Sequence, residues 1–129
     1  MTSLGIHELY DFHDCDRRLL NNMTFVREAM LEVARVSGAT IVTDVFHRFN
    51  PQGVSGVVVI AESHIAIHTW PEFGCASVDV FSCSRLMDLS KVRDGLMRAF
   101  AAERMTVKSF ERGERREIGM AKDERVALT

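Results

Sequence analysis

The chain has 129 residues, of which 47% are hydrophobic, enough to fold as one domain around one core. Its formal net charge is -2 with acidic and basic residues interspersed, so it offers no basic face for a phosphate backbone and nucleic acid is not an expected partner. No apolar run approaches the roughly 20 residues that cross a bilayer, and no charged-then-apolar leader opens the chain, so the expected protein is cytoplasmic and has no membrane partner.

Residues 3–12 read as a strand, with Ile6, Glu8, Tyr10 and Phe12 on one side and His7, Leu9 and Asp11 on the other. From Asn22 to Ser37 the apolar residues Met23, Val26, Met30, Val33 and Ala34 recur at helical spacing, and Gly38 supplies the stop. Residues 39–49 are rich in Ile, Val, Thr and Phe and predict a strand, which Asn50-Pro51-Gln52-Gly53 ends with turn chemistry. The run Val57-Val58-Val59-Ile60 has the pattern of a strand buried on both faces. A further strand covers 64–69, Pro71 closes it, and Gly74 begins the turn into another at 76–83.

Leu89, Val92, Leu96 and Phe100 then mark a second amphipathic helix, with Asp88 or Ser90 as its N-cap, and 105–110 read as a last strand. The order predicts an α/β (α+β) two-layer sandwich: two helices packed on one face of a largely antiparallel sheet. From Glu111 onward charge is dense and apolar periodicity is lost, so a single domain over 1–112 and a charged, exposed tail over 113–129 are expected.

Chemistry concentrates in Glu62-Ser63-His64-Ile65-Ala66-Ile67-His68-Thr69-Trp70-Pro71-Glu72, followed by Cys83. This is a hydroxyl, two imidazoles, two carboxylates and a thiol in what is otherwise core strand, more polar cargo than a strand carries without use for it. Taken singly, Ser63 is an ordinary strand serine, His68 a hydrogen-bonded histidine and Cys83 a small apolar residue. The three cysteines, Cys15, Cys75 and Cys83, lack paired spacing, which favours reduced thiols over a disulfide framework or a structural zinc. Alternation places His64, Ala66, His68 and Trp70 on one strand face and Ser63, Ile65, Ile67 and Thr69 on the other. Ser63 and His68 therefore do not meet on a regular strand. Cooperation between them requires a break or strain in the backbone near Ser63.

The wording resembles that of the prokaryotic S-adenosylmethionine decarboxylases, a pyruvoyl-dependent family. The resemblance runs from about Gly5 to Arg112 and includes Ser37-Gly38-Ala39-Thr40-Ile41-Val42, Phe46-His47-Arg48-Phe49 and the block from Pro51 to Cys83. It implies a proenzyme that cuts itself between Glu62 and Ser63 into 1–62 and 63–129, Ser63 becoming a covalent pyruvoyl cofactor. In the same way it implies His68 as proton acceptor in processing and Ser55 as an aid to that step. After processing, the pyruvoyl ketone would form a Schiff base with the substrate amine, and Cys83 matches the proton donor of catalysis; a free thiol is mostly protonated at neutral pH. Phe49 and Trp70 match residues that flank the adenine, and Glu72 one that accepts from the ribose hydroxyls.

The substrate implied is S-adenosylmethionine, whose decarboxylated product donates aminopropyl groups for spermidine synthesis, and the assembly implied is a homodimer of processed protomers with shared active sites. No metal is implied. Glu8 and Tyr10 depart from the family's first strand. A carboxylate at Glu8, aided by Asp44, would suit a basic amino acid, so decarboxylation of ornithine or arginine is the alternative, with Glu8 as a substrate contact. Two further readings are a metal-binding module built on His64 and His68 with Cys83 or His47, and an inactive regulatory subunit.

Overall fold

The computed structural model describes residues 3–114. Its elements are β1 (Ser3–His13), α1 (Arg17–Leu20), α2 (Met23–Val36), β2 (Ile41–Arg48), β3 (Val54–Ile60), β4 (Ser63–Trp70), a 3₁₀ turn at Pro71–Phe73, β5 (Cys75–Ser82), α3 (Leu89–Ala99) and β6 (Arg104–Glu114). The strands form a six-stranded sheet in the order β2-β3-β4-β5-β1-β6, and every neighbouring pair is antiparallel. This is the α+β sandwich expected from the sequence.

The local signals act where the residues put them. Asn22 caps α2, its Oδ1 accepting from the Phe25 N–H at 3.0 Å, a contact whose loss costs about 1 kcal/mol. Gly38 follows the helix at φ 93°, a conformation that residues with a Cβ rarely adopt. Asp88 caps α3 by accepting from the Ser90 N–H. One face of α2 (Val26, Met30, Val33) and of α3 (Val92, Leu96) seals the core against Tyr10, Phe12, Val58, Ile65, Ile67 and Val80. Among the described residues, no helix lies on the opposite face of the sheet.

Three expectations change. The turn of helix α1 was not anticipated, because four residues carry no readable period; it forms because Asp16 Oδ1 accepts from the N–H groups of Arg18 and Leu19. The last strand runs to Glu114, since β1 is long enough to pair Ser3 with Glu114 and Gly5 with Arg112, so the start of the expected tail is strand. The remainder of that tail lies outside the described residues. The valine run of β3 is buried on one side only: Val58 is 0% exposed but Val59 36%, because Val59 faces the side that no described helix covers. Along this open face lie Val45, Val57, Ala66 and Leu9, with Phe81 and Phe110 in an adjoining row.

Candidate active site

The turn from β3 into β4 holds the Glu62–Ser63 link at several points. The Ala61 N–H donates to the Thr40 carbonyl at 2.8 Å, and Glu62 Oε1 accepts from the Thr40 N–H at 3.1 Å. The Glu62 carbonyl oxygen accepts from the Cys83 N–H at 3.1 Å. That donor is aimed where negative charge would develop if a nucleophile added to this carbonyl. Ser63 has φ 150°, one of few non-glycine residues with positive φ among those described. Backbone in such a region stores of order 1–3 kcal/mol of strain. The irregularity expected near Ser63 is thus present, yet the ladder is unbroken: Ser63 stands opposite Ile60 on β3 and Ser82 on β5.

The other end of β4 gathers a second group. His68 and Ser55 are cross-strand neighbours, with Ser55 Oγ 2.9 Å from His68 Nδ1. Trp70 lies beyond, its ring centroid 6.3 Å from that of His68. Phe49, Ser55, His68, Trp70 and Glu72 line one open depression of about 310 Å³ with Gln52 and Gly53. Gly53, at φ 107°, lets the chain turn beneath it, where its N–H donates to Asn21 Oδ1. Phe49 and Trp70 are 47% and 40% exposed, so both rings have faces free for a planar ligand.

One chain does not bring the two groups together. Ser63, Glu62 and the exposed thiol of Cys83 lie at the start of β4; Ser55, His68, Phe49, Trp70 and Glu72 lie at its end. Within one chain the ladder of β4 runs without a bulge or register shift from Ser63 to His68, which keeps the two side chains apart.

Glu8 is also elsewhere. It lies on the helix-covered side, where its Oε1 accepts from Tyr10 Oη at 2.7 Å and from Arg93 Nη1 at 2.8 Å. The cationic partner that its carboxylate requires is Arg93, leaving no charge for a basic substrate, and Asp44 is held likewise by Arg27 at 2.7 Å. The metal set also fails to converge, because His68 is engaged by Ser55 while His64 turns toward Asp79.

Sequence reasoning did not find one cluster. On the open face Asp79 Oδ2 lies 2.8 Å from His7 Nε2 and 3.0 Å from His64 Nε2, and Arg112 Nη1 approaches His7 Nδ1 at 3.3 Å. A usable signal existed: Asp79 stands between Val78 and Val80 in a strand, on the face that the register shares with the row next to His64.

A family profile described as S-adenosylmethionine decarboxylase matches residues 6–113. The S-adenosylmethionine decarboxylase proenzyme of Thermotoga maritima is 50% identical over 123 residues, covering 95% of each chain. That of Acidithiobacillus ferrooxidans is 47% identical over 114 residues, covering 88% of this chain and 86% of its own. The crystal structure of the adenosylmethionine decarboxylase from Aquifex aeolicus superposes with a TM-score of 0.81 at 32% identity, over 88% of this chain and 93% of that one. Fold and relatives define a carboxy-lyase. The chain belongs to the S-adenosylmethionine decarboxylase family, and the basic amino-acid alternative finds no support among these relatives.

Proposed function

We propose that the protein is a self-processing decarboxylase of S-adenosylmethionine, that Ser63 is the residue converted to a pyruvoyl group, and that each active site is completed by a second copy of the chain. The observation that carries this reading is the state of the Glu62–Ser63 link: strained at Ser63, with its carbonyl oxygen already polarised by the Cys83 N–H. Attack by Ser63 Oγ on the Glu62 carbonyl carbon turns the amide into an ester and frees the serine amine. Loss of the Ser63 α-proton then expels the Glu62 carboxylate, and hydrolysis of the remaining enamine leaves the ketone and ammonia. His68, oriented by Ser55, is the base for the α-proton, supplied by the second copy because its own is out of reach.

The pyruvoyl ketone supplies a covalent electron sink for the decarboxylated amino acid. Around it the chain's own groups act in ordinary ways. Phe49 and Trp70 stack on the purine, Glu72 accepts from the ribose hydroxyls, and the Cys83 thiol returns a proton to the substrate α-carbon. Two observations support the homodimer: the site's two halves are separated in one chain, and the sheet face that no described helix covers leaves Leu9, Val45, Val59 and Phe110 exposed. A cytoplasmic place fits a protein none of whose described helices is long and apolar enough to cross a membrane, and whose cysteines Cys15, Cys75 and Cys83 are free thiols.

Intact mass spectrometry tests the reading. Purified protein is expected as two fragments, 1–62 and 63–129, the second lacking a free amine, and releasing carbon dioxide from S-adenosylmethionine. Ser63→Ala is expected as one uncut, inactive chain; full activity in that variant overturns the reading.

A further inference from the structure

The open face carries a polar cluster that the reading above leaves unused. Asp79 lies between His7 and His64, and Arg112 stands behind His7. The side chains of His7, His64 and Asp79 are 22%, 33% and 26% exposed, a setting partly removed from water. Donor and acceptor chemistry fixes the direction of each contact. Arginine only donates, so His7 Nδ1 accepts from it and His7 Nε2 carries the hydrogen turned to Asp79. A carboxylate only accepts, so His64 Nε2 also presents a hydrogen to Asp79. The second nitrogen of His64, Nδ1, then bears a lone pair, and the atom it faces is Ser63 Oγ at 3.5 Å. The same three residues are close enough to hold a cation. This hydrogen pattern opposes one, because both Nε2 atoms point N–H groups at the carboxylate.

We infer that His64 is the base that takes the hydroxyl proton of Ser63 in the first, amide-to-ester step of self-cleavage, with Asp79 holding it in the accepting tautomer. The inference rests on the pyruvoyl reading. As the proton passes to His64 Nδ1, Ser63 Oγ bonds to the Glu62 carbonyl carbon, whose oxygen takes the charge beside the Cys83 N–H. The carbon–nitrogen bond then breaks, and His64 returns the proton to the departing nitrogen. Nothing is oxidised or reduced, and no co-reactant is needed. Two histidines thus divide two proton transfers: His64, from the serine's own chain, serves the hydroxyl, and His68, from a second copy, serves the α-carbon. A base contact of 3.5 Å before reaction is typical of a resting site that tightens as the nucleophile approaches. Asp79 is a positioning residue, related to His64 as the acid is to the histidine of a serine–histidine–aspartate triad.

The test follows cleavage, not turnover. In His64→Gly the appearance of fragments is expected to slow by roughly 10²-fold, with added imidazole restoring it. Hydroxylamine cuts an ester but leaves an amide, so slowed His64→Gly stays whole in hydroxylamine. His68→Ala, blocked one step later, is cut between 62 and 63. Asp79→Ala is expected to slow cleavage at least about tenfold in an otherwise native chain and to add nothing to His64→Gly. Cleavage of His64→Gly at the native rate, cutting of that variant by hydroxylamine, or no response to imidazole overturns the inference. If His64→Gly fails to fold by circular dichroism, His64→Gln carries the same expectations apart from imidazole rescue. A negative result at His64 with Ser63→Ala still uncut leaves the pyruvoyl reading standing; a cut Ser63→Ala chain removes both.

Discussion

Ser63 and His68 belong to the same strand but stand at its two ends and on its two faces, five residues and therefore roughly 17 Å apart along the backbone. If each serine is processed with a histidine from another copy, inactive chains should rescue one another. Co-expression of Ser63→Ala with His68→Ala, carrying distinguishable tags, is expected to yield cutting of the His68→Ala chain alone. Mass spectrometry reads the result, and a mixture in which both chains stay whole would sink the shared site.

Glu8, bonded to Tyr10 and Arg93, is expected to matter to stability and not to the substrate. Arg93→Ala leaves a half-buried carboxylate with only Tyr10 for company and should lower the unfolding free energy by about 2 kcal/mol in urea titrations. The KM for S-adenosylmethionine should stay as it was, and a large rise in KM would return Glu8 to the binding site.

Trp70→Ala removes a stacking face from the depression beside His68. Base–aromatic stacking is worth about 1–3 kcal/mol, so KM should rise roughly tenfold or more while the extent of self-cleavage is unaltered. Steady-state kinetics with fragment analysis on the same preparation separates the two quantities.

The thiols should react in a set order. Burial pushes the Cys15 thiol up to about 11, helped by Cys75 and Asp14, and burial also raises Cys75. Cys83 is exposed. Alkylation at neutral pH, followed by peptide mapping, should label Cys83 first and Cys15 last.

Cys15 also sets a limit at high pH. The folded thiol keeps its proton to about 11, whereas an unfolded one releases it near 9.0, so in that window the unfolded state binds fewer protons and stability falls as pH rises. The contribution is whole below pH 9 and gone above 11. Burial raises the Tyr10 phenol as well, adding a fall of the same sign above its ordinary value of 10.0. Thermal melts from pH 8 to 11 should show the decline, and Cys15→Ala should lessen its first part.

Much of this architecture was legible in the residues because period and punctuation agree: α2 begins at its Asn22 cap and stops before Gly38, and β4 lies between the Glu62 turn and Pro71. The irregularity at Ser63 was expected as the means for Ser63 and His68 of one strand to meet; the positive φ is there, but the ladder stays unbroken and does not join them. What stayed hidden depends on long-range partners. Arg93 meets Glu8 from 85 residues away, and Asp79 meets His7 from 72, distances over which local pattern carries no information. A run of valines predicts burial on both faces, and nothing local tells the face that helices cover from the one that leaves Val59 36% exposed.

For the cut proposed between Glu62 and Ser63, the sheet order bears on when it can happen. Residues 1–62 supply β1, β2 and β3 and the rest supply β4, β5 and β6, so the two pieces interleave, with β1 clasped between β5 and β6. Severed before folding, they would have to find each other by diffusion and thread three separate seams. Severed after it, they are already woven, and the new chain end cannot drift from the cleft where it is needed. On the cleavage proposed above, maturation is expected to follow folding, because the sheet that holds the pieces together also sets the backbone at Ser63.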